Sequence, residues 1–386
     1  MTDCKNRVGR RTGVPALRLK GTGLLLGTAL LLAGCGGSPT ASNTDAKSTS
    51  NAPTAAEKFF TKTNKTPDDA RRDALVKQAE AEGQLDLYTS MTSDVADAVT
   101  KAFSDAFKVD VNVYRASSET VLQRILQEQK ARFQGNDVVE SNATEMFALQ
   151  TEGYLAAYSG TRRDEVSEAG HFDRWTATRY NLFAPSWNTK KVKKGEEPKS
   201  WEDLADPKWD GQLSMEVADS DWYLTLYKYW EKQGKSKDEI NKLFADMAKG
   251  AKIVKGHTVQ GELMSAGQFA VTASNYSYLV ERLKATGAPV AYEPFVEPVI
   301  ARPNGLGLMK TAKHPAAAML FADWLLSEDG QKILTDLGLT PSIAGANDPL
   351  AGVDVIPVDV KELLNNGKVW SDRYDKVVSG GEVVDQ

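Results

Sequence analysis

The run Leu85-Asp86-Leu87-Tyr88-Thr89-Ser90-Met91-Thr92-Ser93, continued by a helical pattern over 94–107 and by Val109-Asp110-Val111-Asn112-Val113-Tyr114, decides the fold class. The segment 85–89 reads as a strand. Val95, Ala98, Val99, Ala102 and Phe103 then recur at the three-and-four spacing that lines one face of a helix. Over 109–114 the period returns to two, so alternate side chains face opposite sides of a strand. Two strands joined through a helix form a crossover unit, which pairs its strands in parallel.

Outward from this unit the alternation continues. Upstream, a helix over 73–81 stops at Gly83. Downstream, Ser118 reads as the cap of a helix carrying Val121, Leu122, Ile125 and Leu126. A short buried strand follows at 137–139, then a helix over 144–155 that stops near Gly153. Trp175, Tyr180, Phe183, Pro185 and Trp187 make 176–190 an apolar, extended crossing into a second series. There Ser200 and Asp203 stand at capping-box distance, strands are expected at 213–217, 253–254 and 269–273, and an aromatic helix over 222–230. After an extended stretch at 290–300, a strand at 306–309 and helices from His314-Pro315 and at 331–337 resume the first pattern.

The expected fold class is therefore α/β, in two lobes, each a mainly parallel sheet flanked by helices, with hinge strands between them. Lobe 1 is expected over 57–187 with a return at 298–345, lobe 2 over 188–297, and a C-terminal segment over 346–386.

Ligands of parallel sheets gather beyond the carboxyl ends of the strands. In the first half those ends carry Ser90 and Thr92, then Ser117 and Ser118, then Asn142. In the second half they carry Ser220, Asp221 and Trp222, then His257 and Thr258, then Tyr276 and Tyr278. Helix N-termini there favour anions, and the same Ser and Thr also suit plain capping. Trp222, at the first turn of its helix, is the aromatic expected to face the cleft. Alternation along a strand end would turn Tyr276 and Tyr278 to opposite sides. Arg302 suits either a carboxylate or phosphate clamp or a salt bridge at the hinge.

The first residues are of another kind. A basic start, the apolar stretch 24–32 and Leu32-Ala33-Gly34-Cys35 have the layout of a bacterial lipoprotein signal peptide over 1–34. Cys35 is the expected lipidation site. A Ser/Thr/Asn/Ala-rich tether over 35–56 follows, too poor in apolar residues to fold by itself. The expected location is extracytoplasmic, lipid-anchored to the cell membrane.

The full chain carries a net charge of −5, and residues 1–34 hold six cations and one carboxylate, so a chain starting at Cys35 carries −10. Such an acidic body argues against nucleic acid as partner. With Cys4 removed and Cys35 lipidated, a single chain forms no disulfide. Three histidines and no cysteine beyond Cys35 disfavour a zinc site. No HExxH, GxSxG or SxxK pattern is present, so no enzyme activity or cofactor is expected, and a secreted hydrolase is the competing class.

At Trp187-Asn188-Thr189-Lys190, Pro198-Lys199-Ser200-Trp201-Glu202-Asp203-Leu204, Asp206-Pro207-Lys208-Trp209-Asp210-Gly211 and His314-Pro315-Ala316-Ala317-Ala318 the chain resembles the extracellular solute-binding proteins of ABC importers. The branch it looks most like is the ferric-ion-binding proteins, of the type II periplasmic binding fold. The resemblance implies hinge closure of a monomer on a solute and delivery to a permease driven by an ATPase. In that branch adjacent tyrosines hold Fe(III) as cargo. Here Ser277 separates Tyr276 from Tyr278, Thr92 stands where the family has a histidine, and Asn142 where it has a carboxylate. Ser220, Asp221, Trp222 and His257 fall where the family contacts its anion. The expected cargo is a small polar or anionic solute such as a phosphonate or organic acid. The alternative is Fe(III), held as a metal by Tyr276 and Tyr278.

Overall fold

The computed structural model describes residues 52–167, 170–343, 352–380 and 382–383. The signal peptide, Cys35 and most of the tether lie outside the described residues. Helix α1 (Ala55–Thr63) opens on a capping box, in which Thr54 accepts from the Glu57 amide and Glu57 from that of Thr54. Helix α1 thus begins just before the expected end of the tether. Helix α2 (Asp68–Glu82) ends at Gly83, whose φ of 71° is a left-handed conformation that glycine adopts without strain.

The first half then runs β1 (Gln84–Thr89), α3 (Ser93–Phe107), β2 (Asp110–Arg115), α4 (Ser118–Lys130), β3 (Val138–Asn142) and α5 (Ala143–Thr151), followed by the one-turn α6 (Thr161–Asp164). β1 pairs in parallel with both β2 and β3, as the crossover pattern predicts. α3 buries Val95, Val99 and Phe103, the stripe read from the sequence. Several boundaries shift. The N-cap of α4 is Ser117 rather than Ser118, and β3 runs on to Asn142, so that α5 starts at Ala143 and ends at Thr151.

β4 (Thr176–Asn188) crosses into the second half, which runs β5 (Leu213–Glu216), α7 (Ser220–Lys232), α8 (Lys237–Ala248), β6 (Lys252–Val254), α9 (His257–Ser265), β7 (Val271–Tyr276), α10 (Ser277–Ala285) and the short β8 (Val290–Ala291). β9 (Val299–Leu308) crosses back to α11 (Pro315–Leu325), α12 (Glu328–Asp336) and β10 (Thr340–Pro341). β11 (Val355–Pro357), α13 (Val360–Val378) and β12 (Glu382–Val383) close the chain.

The sheet order is β12-β6-β5-β7-β4-β9-β3-β1-β2, with β8 and β10 on β4 and β11 on β9. Hydrogen bonding is unbroken between the halves because β4 and β9 are too long for either one. They pair antiparallel from Thr176 opposite Leu306 to Phe183 opposite Ile300. β3 joins β9 with Asn142 opposite Asn304, while β7 joins β4 with Tyr276 opposite Phe183. The carboxyl ends of β3 and β7 therefore both point at the middle of the β4–β9 pair. That register places the site.

The C-terminal segment covers the second half. Tyr374 and Trp370 of α13 pack on Tyr223 of α7, with ring centroids 5.6 and 6.0 Å away. β12 extends the sheet beside β6 and β11 pairs with β9 at the hinge. Among the described residues, no helix is long and apolar enough to cross a membrane.

Candidate functional site

A cavity of about 540 Å³ lies over the middle of the β4–β9 pair. The N-caps of six helices line it: Thr92 of α3, Ser117 of α4 and Asn142 of α5 from the first half, Asp219 of α7, Gly256 of α9 and Tyr276 of α10 from the second. None of the six caps its own helix through a side-chain hydrogen bond. Three of the side chains are engaged otherwise: Asn142 donates to Ser118 Oγ at 3.1 Å, Ser117 meets Thr120 Oγ1 at 2.9 Å, and Thr92 Oγ1 accepts from Arg282 at 2.9 Å. The first-turn N–H groups of α3, α4 and α5 thus keep their partial positive charge toward the cavity, whereas in α7 the Trp222 amide donates to Asp221 Oδ1 at 2.8 Å.

Arg302 of β9 is the hub of the second wall. Its guanidinium makes a two-point ion pair with Asp221, lies 2.9 Å from Asp219 Oδ1, donates to the Tyr276 hydroxyl and covers the Phe183 ring at 4.5 Å. His257 Nε2 stands 3.1 Å from Asp219 Oδ2. Burial opposes the charge of Asp219, but His257 and Arg302 outweigh it and hold the carboxyl below its usual range. Burial likewise opposes the imidazolium, and the carboxylates of Asp219 and Glu216 outweigh it, so the His257 pKa rises. Glu216 accepts from the amides of Ala218 and Gly256, at 2.5 and 2.9 Å; burial, then the Asp219 charge, push its carboxyl up to about 7.

The first wall holds a second buried ion pair, Arg179 of β4 with Glu140 of β3, and Thr89 Oγ1 donates to that carboxylate at 2.7 Å. Arg115 reaches the cavity rim, its Nε donating to the Met91 carbonyl at 2.8 Å. Glu145 in the first turn of α5 is pushed up to about 8 by burial and then by the Glu119 charge, which keeps it protonated at neutral pH.

Both tyrosines line the cavity, with ring centroids 6.0 Å apart and planes 14° from parallel. The expected opposition fails because β7 ends at Tyr276 and α10 starts at Ser277. The change of period at that point brings Tyr278 back to the same side. His257 stacks on Tyr276, centroids 3.9 Å apart. Burial raises both phenols above their ordinary pKa, Tyr276 far above it.

Of the residues singled out in the sequence, Ser90, Thr92, Ser117, Ser118, Asn142, His257, Thr258, Tyr276, Tyr278 and Arg302 line this one cavity. Three others do not. Trp222 points away from the cleft into the core, fully buried against Trp201, Phe244 and Tyr374. Asp221 sits behind Arg302 with its charge matched, so it presents no bare carboxylate to an anion. Ser220 is half-buried beside them and off the cavity lining. Arg302 lines the cavity and forms the buried ion pair that was the second of its two expected roles, between the crossing strand and α7.

Sequence reasoning passed over Arg179, Asn181, Asn304, Glu145 and Asp219, all of which line the cavity. A signal existed for the strand residues. Arg179 and Asn181 on β4, and Arg302 and Asn304 on β9, are polar pairs at a spacing of two within buried strands, which puts each pair on one sheet face.

A family model of the bacterial extracellular solute-binding proteins matches residues 134–355, more than half of the chain. Iron uptake protein A1 of Synechocystis is 23% identical over 279 residues, 68% of this chain and 76% of that protein. Iron-bound HitA from Pseudomonas aeruginosa superposes with a TM-score of 0.66 at 21% identity, over 76% of this chain and 99% of HitA. AfuA from Actinobacillus pleuropneumoniae, with fructose-6-phosphate bound, gives 0.66 at 20% identity, over 77% and 99%. These structures share the fold, in which two lobes flank a cleft at crossing strands. With sheet order, cleft and family match in agreement, the chain belongs to the bacterial extracellular solute-binding proteins.

Proposed function

We propose that this protein captures a small anionic solute in the cleft between its lobes and hands it to an ABC permease, whose ATPase supplies the energy. The lipid on Cys35 would hold the body at the outer face of the cell membrane. The observation that carries the anionic reading is the convergence on one cavity of six helix N-termini, none capped by its own N-cap side chain, beside Arg115, Arg179, Lys255 and His257. Binding would close the lobes by rotation about β4 and β9, the strands common to both. The decisive experiment is native purification with mass spectrometry and elemental analysis of the solute that co-elutes. An organic anion supports the reading, and iron in stoichiometric amount overturns it.

Fe(III) as cargo is the second reading, favoured by the two tyrosines on one cavity wall. Against it stand Thr92 and Asn142, where the iron-binding branch places a histidine and a carboxylate, and the Arg302 guanidinium on the Tyr276 oxygen. A hard trivalent cation seeks anionic oxygen ligands, and burial here works against forming the phenolates. A visible tyrosinate-to-iron absorption band in the purified protein would decide for iron.

A further inference from the structure

We propose that the cavity selects an organic anion that carries hydroxyl groups beside its charge, and that Asn181, Asn304 and Glu145 read those hydroxyls. The inference rests on the anionic-solute reading above and narrows it. Asn304 on β9 is only 1% exposed, and neither its Nδ2 nor its Oδ1 has a hydrogen-bond partner. Rotating the amide does not help, because both a donor and an acceptor are wanting. Asn181 on β4, 3% exposed, has an unpartnered Oδ1, and Glu145 on α5, 8% exposed, an unpartnered Oε2. All three side chains line the same cavity.

A buried polar atom left without a partner costs about 1–3 kcal/mol. Ser90 Oγ and Arg179 Nε on the same cavity are also unpartnered, and these five side chains together describe what the ligand must supply. Two of the needs are common to any anion, since the amide of Asn304 and the helix N–H groups donate. The others are not. Asn181 Oδ1 and Asn304 Oδ1 are acceptors, and an acceptor is met only by a donor, while the protonated Glu145 carboxyl can give or take a hydrogen bond. A bare oxyanion brings lone pairs alone and would set its charge against these oxygens. A hydroxyl donates and accepts at once, which fits the mixed set. The volume agrees, since 540 Å³ lies well within the range of about 300–1,000 Å³ usual for organic ligands. The charged end of the solute belongs with Arg115, Lys255 and the helix N-termini, the hydroxyl-bearing end on the β4–β9 floor.

Calorimetric titration of the purified protein with matched pairs tests this. Glycerol 3-phosphate and n-propyl phosphate share a charge and differ in two hydroxyls; tartrate and succinate differ likewise; inorganic phosphate is the bare anion. The expected result is at least tenfold tighter binding of the hydroxylated member of one pair. Asn181→Ala should reduce that ratio to about threefold or less with little loss for the plain member. Glu145→Gln, which keeps a neutral group with both a donor and an acceptor, should preserve the ratio. Equal binding within both pairs, or tightest binding of inorganic phosphate, overturns the inference and leaves the anionic reading standing. An unchanged ratio in Asn181→Ala also overturns it. Binding of none of the five overturns both.

Discussion

Arg282 on α10 donates to Thr92 Oγ1 at the N-cap of α3 over 2.9 Å, and its other terminal nitrogen pairs with Asp94 in the first turn of that helix. The two residues belong to opposite halves of the sheet, 190 positions apart in sequence. The contact spans the mouth of the cleft, so it holds the halves together without touching their cores.

Arg282→Ala should therefore loosen closure and leave stability nearly intact. Both charged groups are more than a third exposed, and such pairs are worth about 0–1 kcal/mol. Small-angle scattering of the ligand-free variant should give a larger radius of gyration than the wild type. Identical dimensions would mean that the contact does not hold the cleft.

Tyr276→Phe separates the two cargo classes. For an anion the Tyr276 hydroxyl, which lines the cavity, supplies one donated hydrogen bond, and the expected loss of affinity is about 1–3 kcal/mol. For Fe(III), Tyr276→Phe and Tyr278→Phe would each abolish the visible band. Titration of both variants against wild type reads the difference.

The pair of His257 with Asp219 predicts a pH dependence. The imidazole pKa is raised in the folded state, so its contribution is complete below its ordinary 6.5 and is lost as pH rises through the raised value. The Asp219 pKa is lowered, so its contribution is present above the ordinary 3.8 and is lost on acidification. Thermal unfolding between pH 6 and 9 should show the midpoint falling with pH, with a shallower fall in His257→Gln. An equal slope in the variant would remove this pair as the cause. Anion affinity should decline over the same alkaline range.

Gly305 in β9 lies under Trp175. A β-carbon added there would stand 2.0 Å from the indole Cε3, and the ring has little room to move because it stacks on Phe172 at 3.7 Å. Gly305→Ala should destabilise by about 1–3 kcal/mol or more, measured by denaturant unfolding. A loss below 0.5 kcal/mol would show that the indole shifts freely.

Cys35→Ser should move the protein from the membrane fraction to the soluble one, or leave it as an unprocessed precursor. Fractionation followed by immunoblotting reads the outcome, and a variant still cut and lipidated would refute the anchoring role.

The β1–α3–β2 unit was legible because its period is local: Val95, Val99 and Phe103 mark a helix face whatever the rest of the chain does. The crossing strands and the return of the first pattern after β9 were legible for the same reason, and so were the strand ends at Ser90, Asn142 and His257. Which way a side chain points at those ends was not. The aromatic helix α7 is buried on almost every side, so its periodicity does not tell that Trp222 faces Phe244 rather than the cleft. Tyr278 faces the cavity only because the backbone changes from strand to helix at Ser277, a boundary set by where β7 meets β4. Arg179 and Asn181 looked like members of an apolar crossing segment. Their place at the centre of the site comes from the pairing of β4 with β9, between residues more than a hundred positions apart. Local periodicity determined the elements and their order. Tertiary register decided which polar groups meet, because burial and pairing belong to strands brought together from distant parts of the chain.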